Sequence, residues 1–388
     1  MTGIAPLESA ALPAAIRSRF AANVNGLCMH VLEAGFEPTG RPCVLLLHGF
    51  PELAYSWRKV MLPLAGDGFH VVAPDQRGYG RTTGWDADYD GDVRSFRLQN
   101  LVRDALALVF ALGCRSVAAV VGHDFGAPVA AYCALIRPDV FRSVVLMSAP
   151  FTGPPMLPFD TVGDASPPTA APAGADIHDA LAKLDRPRKH YQWYYSTRQA
   201  DADMRNCAQG VHAFLRAYYH YKSADWPGNR PFPLRSWSAG ELARLPTYYI
   251  MDLDKGMAET VAPKMPSAAA IDACRWLTED ELRVYSSEYE RTGFQGGLQW
   301  YRCRTDARYN ADLDLFSGRS IDVPSTFIAG QSDWGVHQVP GSLERMQGSA
   351  CTRMEECHLI AGAGHWVQQE QPGRVSALLL RFLQAAVD

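Results

Sequence analysis

The sequence predicts an α/β chain: a mostly parallel sheet flanked by helices and interrupted by a mainly helical insertion. Three observations carry that expectation. Short apolar blocks alternate with helix-patterned stretches over residues 1–150, the alternation stops at Phe151, and it resumes near residue 319. A chain of 388 residues has room for one large sheet domain with such an excursion.

Taken in order, "LCMHVLEAG", "CVLLLHG", "FHVVAPD", "SVAAVVGHD" and "SVVLMSAP" read as strands. The last four are nearly continuous apolar runs, the pattern of strands covered on both faces of a parallel sheet. "LQNLVRDALALVFALG" spaces its apolar residues for a helix and stops at Gly113. From Phe151 to Gly318 the strand blocks vanish. A Pro/Ala-rich stretch over residues 153–175 reads as a flexible excursion. Aromatic helical sequence follows in "KHYQWYYSTRQADADM" and "VHAFLRAYYHYKS", and 12 of the 16 tyrosines lie in this insertion. "STFIAG" and "ECHLIAG" then restore the strand pattern, and "RVSALLLRFLQAAV" closes the chain as a helix. The expected division is a sheet domain of residues 1–150 and 319–388, with a helical cap of residues 151–318.

Composition narrows the function. Hydrophobic content of 47% with 20% charged residues is that of an ordinary globular protein. A net charge of −4 and no basic cluster interleaved with aromatics argue against a nucleic-acid partner. The nine cysteines (28, 43, 114, 133, 207, 274, 303, 351 and 357) are odd in number, widely spaced and without CxxC, which predicts a reducing compartment and no zinc site. The N-terminus lacks a signal-peptide pattern, and no run approaches the roughly 18 apolar residues of a membrane span. The expected location is the cytoplasm, with no membrane partner; oligomeric state is open.

The chemistry concentrates at "VVGHDFGAPVAA", where an apolar strand runs straight into a helix. Small residue, His123, Asp124, any residue, Gly126 and Ala127 is the pattern of a nucleophile elbow. That turn is sharp, so its neighbours must be small while its apex stands clear of the sheet's carboxyl edge. A plain Asp N-cap explains the Asp but not the small neighbours. A carboxylate, with a usual pKa of about 3.9, is ionised at neutral pH and attacks an alkyl carbon without a base. Water must then be activated to cleave the resulting ester. "HLIAGAGHWVQQEQP" supplies His365 in a small-residue loop after a strand, and "STFIAGQSDWGVH" supplies Asp333 to orient it. The order Asp124, Asp333, His365 is that of nucleophile, acid and base in such folds. Asp322 precedes its strand and reads as a turn residue; His337 follows the wrong strand. In "LLLHGFPE", His48 and Gly49 sit in a loop facing the elbow. The backbone N–H groups of Phe50 and Phe125 are the expected oxyanion donors.

With "HGFPE", "GHDFGA", "GQSDWG" and "GAGHW" in this order, the chain resembles the epoxide hydrolases of the α/β-hydrolase fold. The resemblance implies conversion of an epoxide to a vicinal diol through an ester on Asp124, with water as co-substrate and neither metal nor organic cofactor. It also implies two cap tyrosines that donate to the epoxide oxygen. "KHYQWYY" offers Tyr191, with Tyr194 and Tyr195 as alternatives, and "TGFQGGLQWYR" offers Tyr301. The aromatic cap leans toward an apolar epoxide. Haloalkane dehalogenases share the Asp nucleophile but hold halide with a Trp beside it, often with an Asn after HG. Those positions here are Phe125 and Phe50. Fluoroacetate dehalogenases need arginines that "DFGAPVAAY" lacks. A non-catalytic ligand-binding homologue would not need to keep nucleophile, acid and base together.

Overall fold

The computed structural model describes residues 4–37, 39–155 and 174–387 of the chain. Before the insertion lie β1 (Arg17–Val24), β2 (Leu27–Ala34), β3 (Cys43–Leu47), β4 (His70–Pro74), β5 (Ala119–His123) and β6 (Val144–Met147). Within it are β7 (Arg188–His190) and β8 (Ile250–Asp252); after it come β9 (Ser325–Gly330) and β10 (Met354–Ile360). One eight-stranded sheet runs in the order β1-β2-β4-β3-β5-β6-β9-β10. β1 pairs antiparallel with β2 and β2 with β4, and every later neighbour pair is parallel. Every residue of β3 and β5 is buried, which is why their sequences are runs of Val, Leu and small residues.

The edge strand β1 was not among the expected elements. Its "RSRFAANV" is largely polar because only one edge is paired and much of it meets solvent, so no apolar block marks it. Helices α1 (Arg58–Gly66), α2 (Leu98–Ala111) and α3 (Gly126–Ile136) cover the sheet, with α2 packed on α3. α2 stops where expected, at Gly113, which takes a left-handed φ of 79°.

Between β6 and β9 the chain is mainly helical, as expected: α4 (Gly174–Ala182), α5 (Tyr191–Tyr195), α6 (Gln199–Arg205), α7 (Gly210–Lys222), α8 (Ala239–Leu242), α9 (Met257–Val261), α10 (Ala268–Ala273), α11 (Glu279–Thr292) and α12 (Gln295–Thr305). A capping box starts α11. Thr278 accepts from the Glu281 N–H, and the Glu281 carboxylate accepts from the Thr278 N–H. The departure is the short antiparallel ribbon β7–β8, which runs directly into α5. Most of the Pro/Ala-rich stretch, residues 156–173, lies outside the described residues. The chain closes with α13 (Ser342–Arg345), α14 (Val367–Glu370) and α15 (Pro372–Val387).

The helical segment sits on the carboxyl ends of the parallel strands. Tyr219 donates to the Pro51 carbonyl at 2.9 Å and Tyr289 to the Glu52 carbonyl at 3.2 Å, both in the loop after β3. Trp366, in the loop after β10, donates to the Tyr219 carbonyl at 2.8 Å. Among the described residues no helix is long and apolar enough to cross a membrane.

Candidate active site

Asp124 follows the last residue of β5 and adopts φ 51°, a left-handed conformation uncommon outside glycine and costly to maintain. Its small neighbours have measurable reasons. A Cβ on Gly122 would lie 2.1 Å from the Gly126 carbonyl oxygen, and one on Gly126 would lie 2.3 Å from that of Leu47. A Cβ on Gly49 would meet the Asp124 side chain at 2.4 Å. Strand, elbow and helix α3 therefore close on one another only because these residues lack side chains. Phe125 caps α3, so the positive end of that helix lies behind the carboxylate.

The structure brings Asp124, Asp333 and His365 together from the ends of β5, β9 and β10. His365 Nδ1 donates to Asp333 Oδ1 at 3.0 Å, which leaves Nε2 as the basic nitrogen. Nε2 lies 3.2 Å from Asp124 Oδ2 but off the hydrogen-bond line, buried and without a hydrogen-bond partner. A water entering here would meet a ring nitrogen that forms no hydrogen bond with the protein. The Asp124 side chain keeps 13% of its surface exposed, against 2% for His365 and 1% for Asp333, so of the three it is the most open to the space above. Burial pushes the Asp124 carboxyl up. The adjacent His365, then the charges of Lys222 and His123, outweigh it and hold the group well below the usual carboxylate range. Asp333 is likewise drawn down against its burial, first by the His365 charge and hydrogen bond and then by the Gly335 N–H at 2.7 Å.

The Phe50 N–H donates to Asp124 Oδ1 at 3.0 Å, so one carboxylate oxygen already occupies an oxyanion position. The ring of Phe125 packs edge-on against Tyr301, their centroids 5.1 Å apart. A cavity of about 1100 Å³ opens over this point, and its lining includes Asp124, Phe125, Tyr191, Tyr301, Trp237 and Trp300. The Tyr191 and Tyr301 rings lie 6.0 Å apart across it. Tyr191 donates to Gln338 Oε1 at 3.0 Å and accepts from Gln192 at 3.1 Å. The alternatives are committed elsewhere: Tyr194 donates to Asp203 at 2.9 Å, and Tyr195 to Tyr218 at 3.4 Å. Neither is among the residues lining the cavity. Burial pushes both the Tyr191 and the Tyr301 phenols up, and the nearby Asp124 charge adds to it, so each stays protonated. Asp322 instead accepts from Ser320 and Thr352 on the surface.

Several residues that the sequence reading left without a role shape this site. Glu52, the last letter of "HGFPE", is fully buried. It accepts from the His123 ring at 2.5 Å, from Gln368 at 2.9 Å and from the Gly49 N–H at 3.1 Å. The other ring nitrogen of His123 donates to the His365 carbonyl at 2.7 Å. Two acceptors on one imidazole require two N–H groups, so His123 is cationic. Burial works against that charge, but Glu52 outweighs it and pushes the group up. Lys222 is buried at the end of α7, its ammonium 5.1 Å from the ring centre of Tyr249 and 5.3 Å from that of Trp366, while its carbonyl accepts from the His365 N–H at 3.0 Å. Glu370 accepts from the N–H groups of Ala224, Gly364 and Trp366 at 2.8–3.0 Å, joining the His365 loop to the helical segment. All of them stood within quoted stretches, but nothing in those stretches paired one with another. The contacts between these stretches join residues far apart in sequence, which leave no local pattern.

The family profile described as alpha/beta hydrolase fold matches residues 42–372. Epoxide hydrolase A of Mycobacterium tuberculosis is 34% identical over 363 residues, 93% of this chain and 95% of that protein. Epoxide hydrolase B of the same organism is 32% identical over 93% of this chain and 96% of its own length. Among solved structures, an epoxide hydrolase from an endophytic Streptomyces superposes with a TM-score of 0.73 at 31% identity, covering 96% of each chain. Potato epoxide hydrolase I gives 0.70 at 29% identity, over 95% of this chain and 99% of that one. The elbow with its Asp, the acid and base that converge on it, and relatives matching nearly end to end lead to one family: this chain belongs to the epoxide hydrolases of the α/β-hydrolase fold.

Proposed function

We propose that the protein converts an apolar epoxide to a vicinal diol through a covalent ester on Asp124. The observation that carries this reading is one cavity holding an ionised carboxylate and two protonated phenols, with an unengaged imidazole nitrogen beside the carboxylate. Asp124 Oδ1 rests on the Phe50 N–H, which leaves Oδ2 to attack a ring carbon. As the carbon–oxygen bond breaks, Tyr191 and Tyr301 hold the oxygen and one of them gives it a proton. The product is a hydroxyalkyl ester whose carbonyl oxygen, Oδ1, already sits in the oxyanion position. His365, oriented by Asp333, takes a proton from water, and the hydroxide adds to the Asp124 carbonyl carbon. The N–H groups of Phe50 and Phe125 hold the oxyanion; as it collapses, the proton of the added hydroxyl passes to the departing alkoxide, which leaves as the diol and restores the Asp124 carboxylate. The imidazolium proton then returns to the phenolate. Protons and oxygens balance with water as the second substrate.

In this reading residues 151–318 act as a cap that supplies the phenols and the aromatic walls, over a core of residues 1–150 and 319–388. The nine free thiols support a cytoplasmic setting. The two positions that carry a halide-holding Trp and Asn in haloalkane dehalogenases are Phe125 and Phe50 here, whose side chains offer no donor.

The test is a single turnover in heavy-oxygen water with aryl and alkyl epoxides, chloroalkanes serving as controls. Label is expected in the Asp124 peptide. His365→Gln is expected to accumulate the ester, and Asp124→Asn to form none. Label found wholly in the diol would mean that water adds directly and would overturn the ester. An absence of any adduct in His365→Gln with every compound would favour a binding protein.

A further inference from the structure

We infer a zinc site at the end of the sheet opposite the catalytic cavity, formed by Cys43, His70 and Cys114. Cys43 opens β3 and His70 opens β4, and the two are direct partners in the parallel register. Cys114 lies just past α2, where its N–H donates to the Val109 carbonyl at 3.1 Å. The segment that follows returns to β3 through a bond from the Ala118 N–H to the Cys43 carbonyl at 2.7 Å. Two sulfurs and a ring nitrogen thereby come within 4.8 Å of one another. Among the described residues no other His, Cys, Asp and Glu side chains gather three ligand atoms so closely. The three residues are widely separated in sequence, which is why no metal-ligand spacing announced them.

The donor set suits zinc. Two thiolates balance the charge of a divalent ion, and imidazole is its usual nitrogen ligand. Tetrahedral zinc with bonds of about 2.0–2.3 Å keeps its ligands roughly 3.5–3.8 Å apart, so movements of about 1 Å close the cluster around an ion. A fixed carboxylate already holds the histidine. Glu33 Oε1 lies 3.2 Å from His70 Nε2, and Glu33 is itself held by Arg17 at 2.8 Å and Arg19 at 2.9 Å. An imidazole anchored through one nitrogen presents the other to a metal in a set orientation. Cys43 is buried, whereas His70 and Cys114 are partly exposed, so an ion has a route in and can keep a water as fourth ligand. Zinc takes its cysteines as thiolates and its histidine neutral, so binding is expected to release protons. The inference stands on this geometry alone, apart from the reading of the catalytic cavity.

The test uses the full-length reduced chain, stripped with a chelator, given zinc alone and desalted. One zinc ion per chain is expected to remain, and cobalt in its place is expected to give a thiolate-to-metal charge-transfer band. Cys114→Ser and His70→Gln are each expected to abolish retention, and Glu33→Gln to weaken it about 10- to 100-fold. Failure of the wild-type chain to hold zinc, or absence of the cobalt band, overturns the site whether or not the variants fold. Equal retention by Cys114→Ser overturns it too. So does an oxidised Cys43–Cys114 pair that takes up no zinc once reduced.

Discussion

The proposed reaction needs Asp124 charged and the phenols of Tyr191 and Tyr301 uncharged, although all three share one cavity. The site meets both demands with the same charges. His365, Lys222 and His123 draw the carboxyl down, while the resulting anion adds to burial in pushing Tyr191 and Tyr301 up. A raised phenol pKa extends the protonated form to higher pH. Epoxide turnover is therefore expected to show no alkaline fall from phenol ionisation below about pH 10, the usual tyrosine value. A kcat/KM profile measured against pH checks it. Tyr191→Phe and Tyr301→Phe are each expected to slow ester formation about 10²-fold, the scale of a lost general acid, as read in single-turnover alkylation. Asp124, Asp333 and His365 were legible in the sequence because each lies just past an apolar strand with a glycine close by. Lys222 was not, because two of the rings around it, Tyr249 and Trp366, come from distant segments and only Tyr218 shares its helix.

At the scale of elements, the elbow is held by a buried charge pair as well as by glycines. His123 lies between the Glu52 carboxylate and the His365 carbonyl, so one imidazolium ties together the loops after β3, β5 and β10. Glu52→Gln would leave that cation buried without its counter-charge. The expected loss is about 3–5 kcal/mol of stability, the range for breaking a buried pair, measured by denaturant unfolding. The parallel strands were readable because burial on both faces writes itself as unbroken Val and Leu. β1 and the β7–β8 ribbon were not, since a partly solvated edge and a three-residue pairing carry no such signature. Side-chain and main-chain bonds across the sheet's edge leave no periodic trace either.

At the scale of the molecule, the break in alternation at Phe151 and its return before β9 marked where the helical segment enters and leaves the sheet. The sequence could not say how that segment sits, because its seat is made of long-range bonds. Those bonds have a mechanical consequence. The Lys222 carbonyl on the His365 N–H, and the Glu370 carboxylate bridging Ala224 with Gly364 and Trp366, rivet the segment to the loop that carries the base. The other side is fastened too: Trp300, Gln299 and Arg302 of α12 donate to the Arg77, Asp88 and Tyr89 carbonyls at 2.7–3.0 Å, so the segment is held to the sheet domain at both ends. Hydrogen exchange is expected to show it: slow amides at Ala224, Gly364, His365 and Trp366 and equally across 295–305, with fast exchange in either region arguing against a segment held on both sides. A roof bolted at both eaves admits its guest through a fixed doorway, and what lies beneath stays aligned at every visit.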